Sequence, residues 1–502
     1  MTIEKIRRRA ENLIPPSVRE FFGRLSTHQG LAILLAWGMA MFSMLQIHPV
    51  WVPTLGTIHA WLPFFGLAGM LILVLFLVAT YLRLFEQELL SSVPQFYLLS
   101  LVSGGTLLAF CVLHSLQASP FLTPLAMEAM LLTIFLGTRL AFFITLVTGL
   151  VGGFAYGLDP GVLTVAMVGS FSATFSVTRM RQRFDLGRAG LVVSLVQVIM
   201  VAALAAILDG PWQIWLLNGM WAAVSGVASA IIAIGVLPYI EGIFGITTVF
   251  KLMELANPSH PLLRQLLLKA PGTYHHCILV GNLGEAAAEA LGADPLLVRV
   301  GAYYHDIGKI KRPYFFIENQ LGMDNQHERI NPRLSTLVIT SHVREGLELA
   351  REHRIPKAVQ DFISQHHGKS LVSYFYHQAI QSENPKQVQE EHFRYPGPRP
   401  QTKETAIVML ADAVEASVRS LNRPTPEQIE AMVRKIVHSR LSDGELSESP
   451  LTLKEIETII GTFNRILQGL YHTRIEYPDQ LIGELKQQEK KKLGHLSRES
   501  AR

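Results

Sequence analysis

Residues Gly301 to Phe316 read GAYYHDIGKIKRPYFF. A histidine and an aspartate, His305-Asp306, stand side by side at the end of an apolar run and just before a glycine, and a basic cluster of Lys309, Lys311 and Arg312 follows. An isolated His-Asp pair carries little information, because a hydrogen bond at a helix end explains it. Its meaning depends on whether the rest of the chain supplies partners.

Around the pair the sequence is helical, with no run of alternating strand residues from about 251 onward. Pro271-Gly272 precedes a helix starting near 273, on which His276, Val280, Leu283 and Ala287 recur on one face. That periodicity puts His276, rather than His275, on the inward stripe. His342 lies in the apolar-periodic segment LVITSHVREGLELA. His366-His367 close the segment DFISQHHGKSL, where a glycine ends the helix. Asp412 sits inside AIVMLADAVEASV, an apolar helix interior where an unpaired carboxylate costs several kcal/mol or takes up a proton. A bound cation removes that cost. Each residue alone has a structural explanation: a buried histidine is more often a hydrogen-bonded core residue than a ligand. The ordered set of His276, His305-Asp306, His342, His366-His367 and Asp412 shares no single explanation of that kind. Imidazole and carboxylate without thiolate suit iron, manganese or a similar divalent ion better than structural zinc.

The whole chain has 502 residues, 49% hydrophobic and 17% charged, low charge for a soluble protein. Charge is concentrated after residue 250, and long apolar runs fill the first half. A spanning helix needs roughly 20 mostly apolar residues. The candidate spans are 30–47, 60–82, 96–117, 121–137, 139–157, 161–178, 189–208 and 213–238. A basic segment with Lys5, Arg7, Arg8, Arg9, Arg19 and Arg24 precedes the first, which argues against a removable signal peptide. Arg83, Arg139 and the loop TRMRQRFDLGR (Arg179, Arg181, Arg183, Arg188) fall on the side of the N-terminus, whereas WVPTLGTIH, QASP, YGLDP and LDGPWQ hold no Lys or Arg. Eight spans with this asymmetry place both ends in the cytoplasm. The spans hold little charge beyond Glu128, and glycines such as Gly149, Gly152, Gly153 and Gly226 suit close helix packing, so an anchor or signal-receiving bundle is preferred to a transporter. Cys111 and Cys277 fall in different halves, which argues against a structural disulfide. The net charge of +4 is spread out and gives no footprint for a nucleic-acid polymer.

The expected organisation is all-α: a basic N-terminal segment (1–28), a polytopic transmembrane bundle of about eight helices (29–240), a linker helix region (241–272), an all-helical cytoplasmic domain carrying the candidate ligands (273–477) and a basic tail (478–502). Lys490 to Lys492 in that tail are positioned to meet anionic lipid headgroups.

The words around the candidate ligands carry a resemblance. TYHHCILVGN, YYHDIGKIKRPYFFIENQ, ITSHVREGLELA, QHHGKSLVSYFYHQA, FRYPGPRPQTKETAIVMLADAVEA and DGELSESPLTLKEI are similar to the seven-transmembrane HD-domain family of cyclic di-AMP phosphodiesterases. The likeness is dense over 240–475 and weaker over the preceding seven spans. The chain departs from the family between its first two spans, where only the stretch from His48 to His59 stands in place of a large extracytoplasmic domain. That puts sensing of an external ligand in doubt but leaves the catalytic domain untouched.

The resemblance implies two divalent ions, iron or manganese. One would sit on His276, His305, Asp306 and Asp412; the other on Asp306, His342, His366 and His367, with Asp306 bridging. It implies hydrolysis of cyclic di-AMP to linear pApA, with Lys309 neutralising a phosphate oxygen beside Asp306. Aromatic side chains for base stacking are plentiful, and most belong to the core. The insert QSENPKQVQEEHFRYPGPRPQTKE reads either as a lid or as a surface loop; if it closes, Arg394 and Tyr395 are the expected substrate contacts. A cyclic di-GMP phosphodiesterase remains an alternative, although the GYP turn expected after a double histidine is missing from HHGKSLVSYFYHQA. A cyclic-dinucleotide receptor with little turnover is the other. The lipid bilayer is an implied partner, and a homo-oligomer is compatible with the sequence.

Overall fold

The structure, a computed structural model, describes residues 58–471 other than 156–158, 179, 181, 321–323 and 383–387. The first expected span (30–47), the basic N-terminal segment, Arg179, Arg181 and the C-terminal tail lie outside the described residues. The chain divides into two compact units, one closing at Leu255 and the other opening at Ala256.

The first unit is built from α1 (Ile58–Phe85), a short α2 (Gln87–Ser91), α3 (Val93–Ser115), α4 (Leu125–Leu136), α5 (Thr138–Ala155), α6 (Pro160–Val177), α7 (Phe184–Ile207), α8 (Trp212–Phe244) and α9 (Val249–Leu255). The seven expected spans from 60 to 238 each coincide with one of these helices. Five of them, α1, α3, α6, α7 and α8, are long and apolar enough to cross a membrane by length and composition. The segment expected at 121–137 forms a 12-residue helix, about 18 Å long, short of a hydrocarbon core of about 30 Å. It is buried among its neighbours instead, with Leu125, Ala126, Ala129, Met130 and Leu132 fully enclosed. Glu128 on this helix is also fully buried and accepts a hydrogen bond from Thr148 Oγ1 at 3.0 Å. Gly226 brings α8 against α7: a Cβ there would meet Ser194 N at 2.5 Å. Phe175, Leu191, Leu195, Ile199 and Ile231 turn outward, as expected of helices whose solvent is lipid.

The second unit comprises α10 (Pro261–Lys269), α11 (Pro271–Leu291), α12 (Pro295–Tyr304), α13 (Pro332–Glu352), α14 (Lys357–Gln365), α15 (Ser373–Ser382), α16 (Lys403–Arg419), α17 (Pro426–Ser442) and α18 (Leu453–Leu470). Between α12 and α13 the chain advances through short 3₁₀ turns. No strand occurs among the described residues; one isolated bridge joins Leu371 and Arg394. Helix starts follow their caps. Asp294, Asn331, Thr402, Thr425 and Thr452 each accept a backbone N–H of the following first turn. Pro271, which reads as punctuation, occupies the first turn of α11, where its missing N–H costs nothing.

Helix α16 is the axis of this unit. Ala406 through Ala411 are six consecutive residues with no more than 1% exposure, so every face of that stretch is covered. Val280, Leu283 and Ala287 of α11, Val298 and Ala302 of α12, Phe362 of α14, Val433 of α17 and Ile459 and Phe463 of α18 share its core. Glycines permit the closest approaches: a Cβ at Gly301 would lie 2.4 Å from the Phe362 ring, and one at Gly308 would lie 1.9 Å from the His342 carbonyl oxygen. The elements that end in His305-Asp306 and carry His342 are therefore packed backbone to backbone.

Candidate metal centre

Five elements deliver seven ligand-type side chains to one place. His276 comes from the middle of α11, His305 from the C-cap of α12 and Asp306 from the turn after it. His342 comes from α13, His366 and His367 from the end of α14, and Asp412 from the enclosed stretch of α16. All are buried or nearly so, whereas His275 is exposed, as the helical periodicity predicts.

The ligand atoms fall into two groups: His276, His305 and Asp412 in one; Asp306, His342, His366 and His367 in the other. Within each, the atoms lie within 4.8 Å of one another. Asp306 faces both. Its Oδ2 stands 3.2 Å from His305 Nε2 and 3.7 Å from His276 Nε2, and its Oδ1 stands 3.3 Å from His342 Nε2 and 3.7 Å from His366 Nε2. Asp412 also divides, with Oδ1 3.0 Å from His276 Nε2 and Oδ2 3.7 Å from His367 Nδ1.

Four of the five histidines share an orientation. Each turns Nε2 inward and holds Nδ1 against a fixed acceptor behind it. For His305 the acceptor is the Ala302 carbonyl at 2.7 Å, for His342 the Ile339 carbonyl at 2.6 Å, and for His366 the Phe362 and Ile363 carbonyls at 3.0 Å. For His276 it is the Glu415 carboxylate, Nδ1 to Oε2 2.5 Å. An imidazole whose Nδ1 proton is donated outward presents an Nε2 lone pair inward, the tautomer a metal requires.

These residues fit a pair of divalent cations. His305 Nε2 and Asp306 Oδ1 are buried without a hydrogen-bond partner, and the Nε2 atoms of His342 and His366 face each other at 3.2 Å. Such converging lone pairs are costly unless something positive lies between them. Without an ion the electrostatics divide the site: burial would lower His276 and His305, but the neighbouring carboxylates outweigh it and raise both, so a cation would displace their protons. Burial would raise the Asp306 carboxyl, but Lys309 and His305 outweigh it and hold it well below the carboxylate range. Burial drives His342 down to about 4, which keeps it neutral.

Lys309 sits 2.8 Å from Asp306 Oδ2 and 2.8 Å from Glu318 Oε1. Its ammonium is thus at the edge of the cluster, already shared between two carboxylates. Glu318 is anchored by Thr273, whose hydroxyl donates to it at 3.0 Å, and Gly272 lets α11 pass the Glu318 carbonyl, which a Cβ would meet at 1.8 Å. The insert after α15 is pinned where it is described. Val372 N–H donates to the Phe393 carbonyl at 2.8 Å and Tyr395 N–H to the Ser370 carbonyl at 3.0 Å. Tyr395 stacks on His367 with centroids 4.1 Å apart. Arg394 is not turned toward the cluster: its guanidinium bonds Glu390 and the Lys369 carbonyl. Among the other aromatics, Tyr304 and Phe375 are core, while Tyr314 and Tyr374 are exposed.

Two carboxylates with no more than 1% exposure escaped the sequence reading. Glu415 follows Asp412 by one turn of α16 and met the same criterion, a carboxylate in an apolar interior. Glu445 accepts the Lys369 N–H at 2.8 Å and braces the turn after His367; Gly368 (φ +54°) leaves it room, since a Cβ would lie 2.2 Å from Glu445 Oε2. Nothing local in DGELSESP announces that role.

Comparison with known proteins gives the following. Residues 61–248 match the family described as a 7TM receptor with intracellular HD hydrolase, and residues 273–417 match the HD domain family. A Bacillus subtilis (strain 168) protein named cyclic-di-AMP phosphodiesterase PgpH is 39% identical over 434 residues, 82% of this chain and 60% of that protein. The Listeria monocytogenes (strain 10403S) protein of the same name is 40% identical over 363 residues, 72% of this chain and 50% of that one. The chain therefore spans about half to three-fifths of the length of these curated relatives. The crystal structure of the L. monocytogenes PgpH HD domain in complex with cyclic-di-AMP is 47% identical and covers 43% of this chain and 100% of that one, with a TM-score of 0.42.

Proposed function

We propose that this chain, which belongs to the family of 7TM receptors with an intracellular HD hydrolase, is a membrane-anchored phosphodiesterase that hydrolyses cyclic di-AMP to linear pApA. The observation that carries the proposal is Asp306, whose two oxygens are divided between two groups of inward-facing imidazoles. A carboxylate placed in this way is able to bridge two ions.

His276, His305, Asp306 and Asp412 would hold one divalent ion, and Asp306, His342, His366 and His367 the other, with iron or manganese suited to the donor set. When bound, such a pair supplies a deprotonated water and offsets charge on the phosphate. The chain's own groups do the rest. The carbonyls behind His305, His342 and His366 hold the imidazoles in one tautomer. Lys309 keeps a positive charge beside Asp306 for a phosphate oxygen to meet. Tyr395, stacked on His367, offers a flat face at the rim, where an adenine base is the natural occupant. Hydrolysis adds one water across a 3′ phosphodiester bond and leaves a 3′-hydroxyl and a 5′-phosphate. The choice of cyclic di-AMP is supported by the names of the relatives and by the absence of a GYP turn after His367. Basic loops on the side of the N-terminus support a cytoplasmic HD unit and an anchoring bundle.

The test is product chromatography with the full chain in lipid nanodiscs, loaded with manganese or iron, on cyclic di-AMP and cyclic di-GMP in parallel. Conversion of cyclic di-AMP to pApA as the faster reaction is expected. Faster cleavage of cyclic di-GMP defeats the substrate assignment, and tight binding without cleavage of either makes the protein a receptor.

A further inference from the structure

We infer that Glu415 is a positioning residue that fixes His276 as a ligand and so controls one of the two metal positions separately from the other. The inference rests on the two-metal reading of the site. Three of the four inward-facing histidines are oriented by main-chain carbonyls of their own helices, which no substitution removes. His276 alone among them depends on a side chain, carried by a helix distant in sequence. Glu415 is 1% exposed, and its Oε2 accepts Nδ1–H of His276 at 2.5 Å. On the opposite edge of the same ring, Nε2 stands 3.0 Å from Asp412 Oδ1. Asp412 and Glu415 lie one turn apart on α16, so a single enclosed helix grips the imidazole from both ends.

Glu415 has an ion-pair neighbour, although its Oε1 makes no hydrogen bond. Arg419, one turn further on, places Nη1 3.5 Å from Oε1. The carboxylate therefore has one partner behind it and one in front, and its lever acts on His276 only. Without it the His276 ring has no acceptor at Nδ1 and is free to take the other tautomer, whose Nε2 carries a proton and cannot ligate. Removing an outer carboxylate of this type weakens a metal site by about 10- to 100-fold. The group of Asp306, His342, His366 and His367 makes no use of Glu415 and keeps its affinity.

The experiment is a Mn²⁺ titration of the full chain in nanodiscs, read by calorimetry and by electron paramagnetic resonance, for wild type, Glu415→Leu and Glu415→Gln. Wild type should bind two ions with the signature of a coupled pair. Glu415→Leu should keep one tight ion, lose about 10- to 100-fold in affinity for the other and, at one equivalent, give an uncoupled manganese signal. Glu415→Gln keeps a carbonyl able to accept from Nδ1 and should fall between the two, which decides the matter if the leucine variant fails to fold. Unchanged affinity at both positions, or equal weakening of both, overturns the role of Glu415. Binding of fewer than two ions by wild type overturns the two-metal reading itself.

Discussion

Gly308 offers the sharpest test of how the centre is held. Replacing it with alanine puts a Cβ 1.9 Å from the His342 carbonyl oxygen and 2.7 Å from Gly346 N. Both obstacles are backbone of α13 and cannot swing away. Ordinary contact begins near 3.4 Å, so the HD turn and α13 must part by about 1.5 Å. His342 Nε2 lies only 3.3 Å from Asp306 Oδ1, and metal–ligand distances tolerate about 0.2 Å. The separation therefore breaks the group of Asp306, His342, His366 and His367 before it breaks the fold. Overpacking of this kind costs about 1–3 kcal/mol, with the upper end expected because the clash is with backbone. For a unit of this size about 3 kcal/mol corresponds to a fall in Tm of about 6–12 °C. Scanning calorimetry of the full chain should show that fall in the HD transition, and metal analysis should show one manganese fewer per chain. A Tm within about 1 °C of wild type with both ions retained would refute the argument.

Asp306→Ala removes the shared carboxylate, so both ions should be lost and hydrolysis should drop at least about 100-fold, or about 2.7 kcal/mol of barrier; full activity in a turnover assay would end the bridging assignment. Lys309→Met should lower kcat about 100-fold with both ions still bound; loss of metal instead would make the lysine a structural strut between Asp306 and Glu318. The pH dependence has a definite sign. In the metal-free protein, burial lowers His276, but hydrogen bonds to Asp412 and Glu415 overcome it and push the imidazole up to about 9. That group stabilises fully below its unfolded value of about 6.5, and its contribution disappears as pH rises toward 9. His342, driven down to about 4, contributes above about 6.5 and loses its contribution as pH falls toward 4. These two groups give the metal-free protein a stability maximum near pH 6.5, measurable as Tm against pH. At pH 7.5 manganese should also displace about one proton from His276, seen as a buffer-dependent calorimetric heat; no such dependence would count against it.

The candidate ligands were legible because they break local rules. Asp412 is a charge in an apolar helix, and His276 lies on the inward face of an amphipathic pattern while His275 does not. The 3.6-residue period and the apolar runs were enough for an all-helical chain with a membrane half. What the sequence could not disclose depends on contacts across long separations. The pairing of Glu415 with His276 spans 139 residues. Glu318 reaches back to Thr273 through a series of 3₁₀ turns with no periodic signature. Gly308 looks like a turn glycine, yet its role is to let another helix's carbonyl approach. Arg394 was a reasonable choice for a substrate contact from composition, but a neighbouring Glu390 claims its guanidinium. The helix at Leu125–Leu136 shows a related limit: an apolar run reports burial, and only its length distinguishes burial in lipid from burial in protein.

The dispersal of the candidate ligands over five elements has a biosynthetic consequence. His276 and Asp412 are 136 residues apart, and Asp412 lies on the helix that organises the unit's core. A growing chain that has produced His276 and the HD pair still lacks Asp412 for the first group and His342 and the double histidine for the second. Capture of the proposed pair of ions must therefore wait for α16, because Asp412 comes from it. An interrupted chain that stops short of that helix cannot assemble the pair, so partial products are inert toward the messenger the finished protein is proposed to destroy.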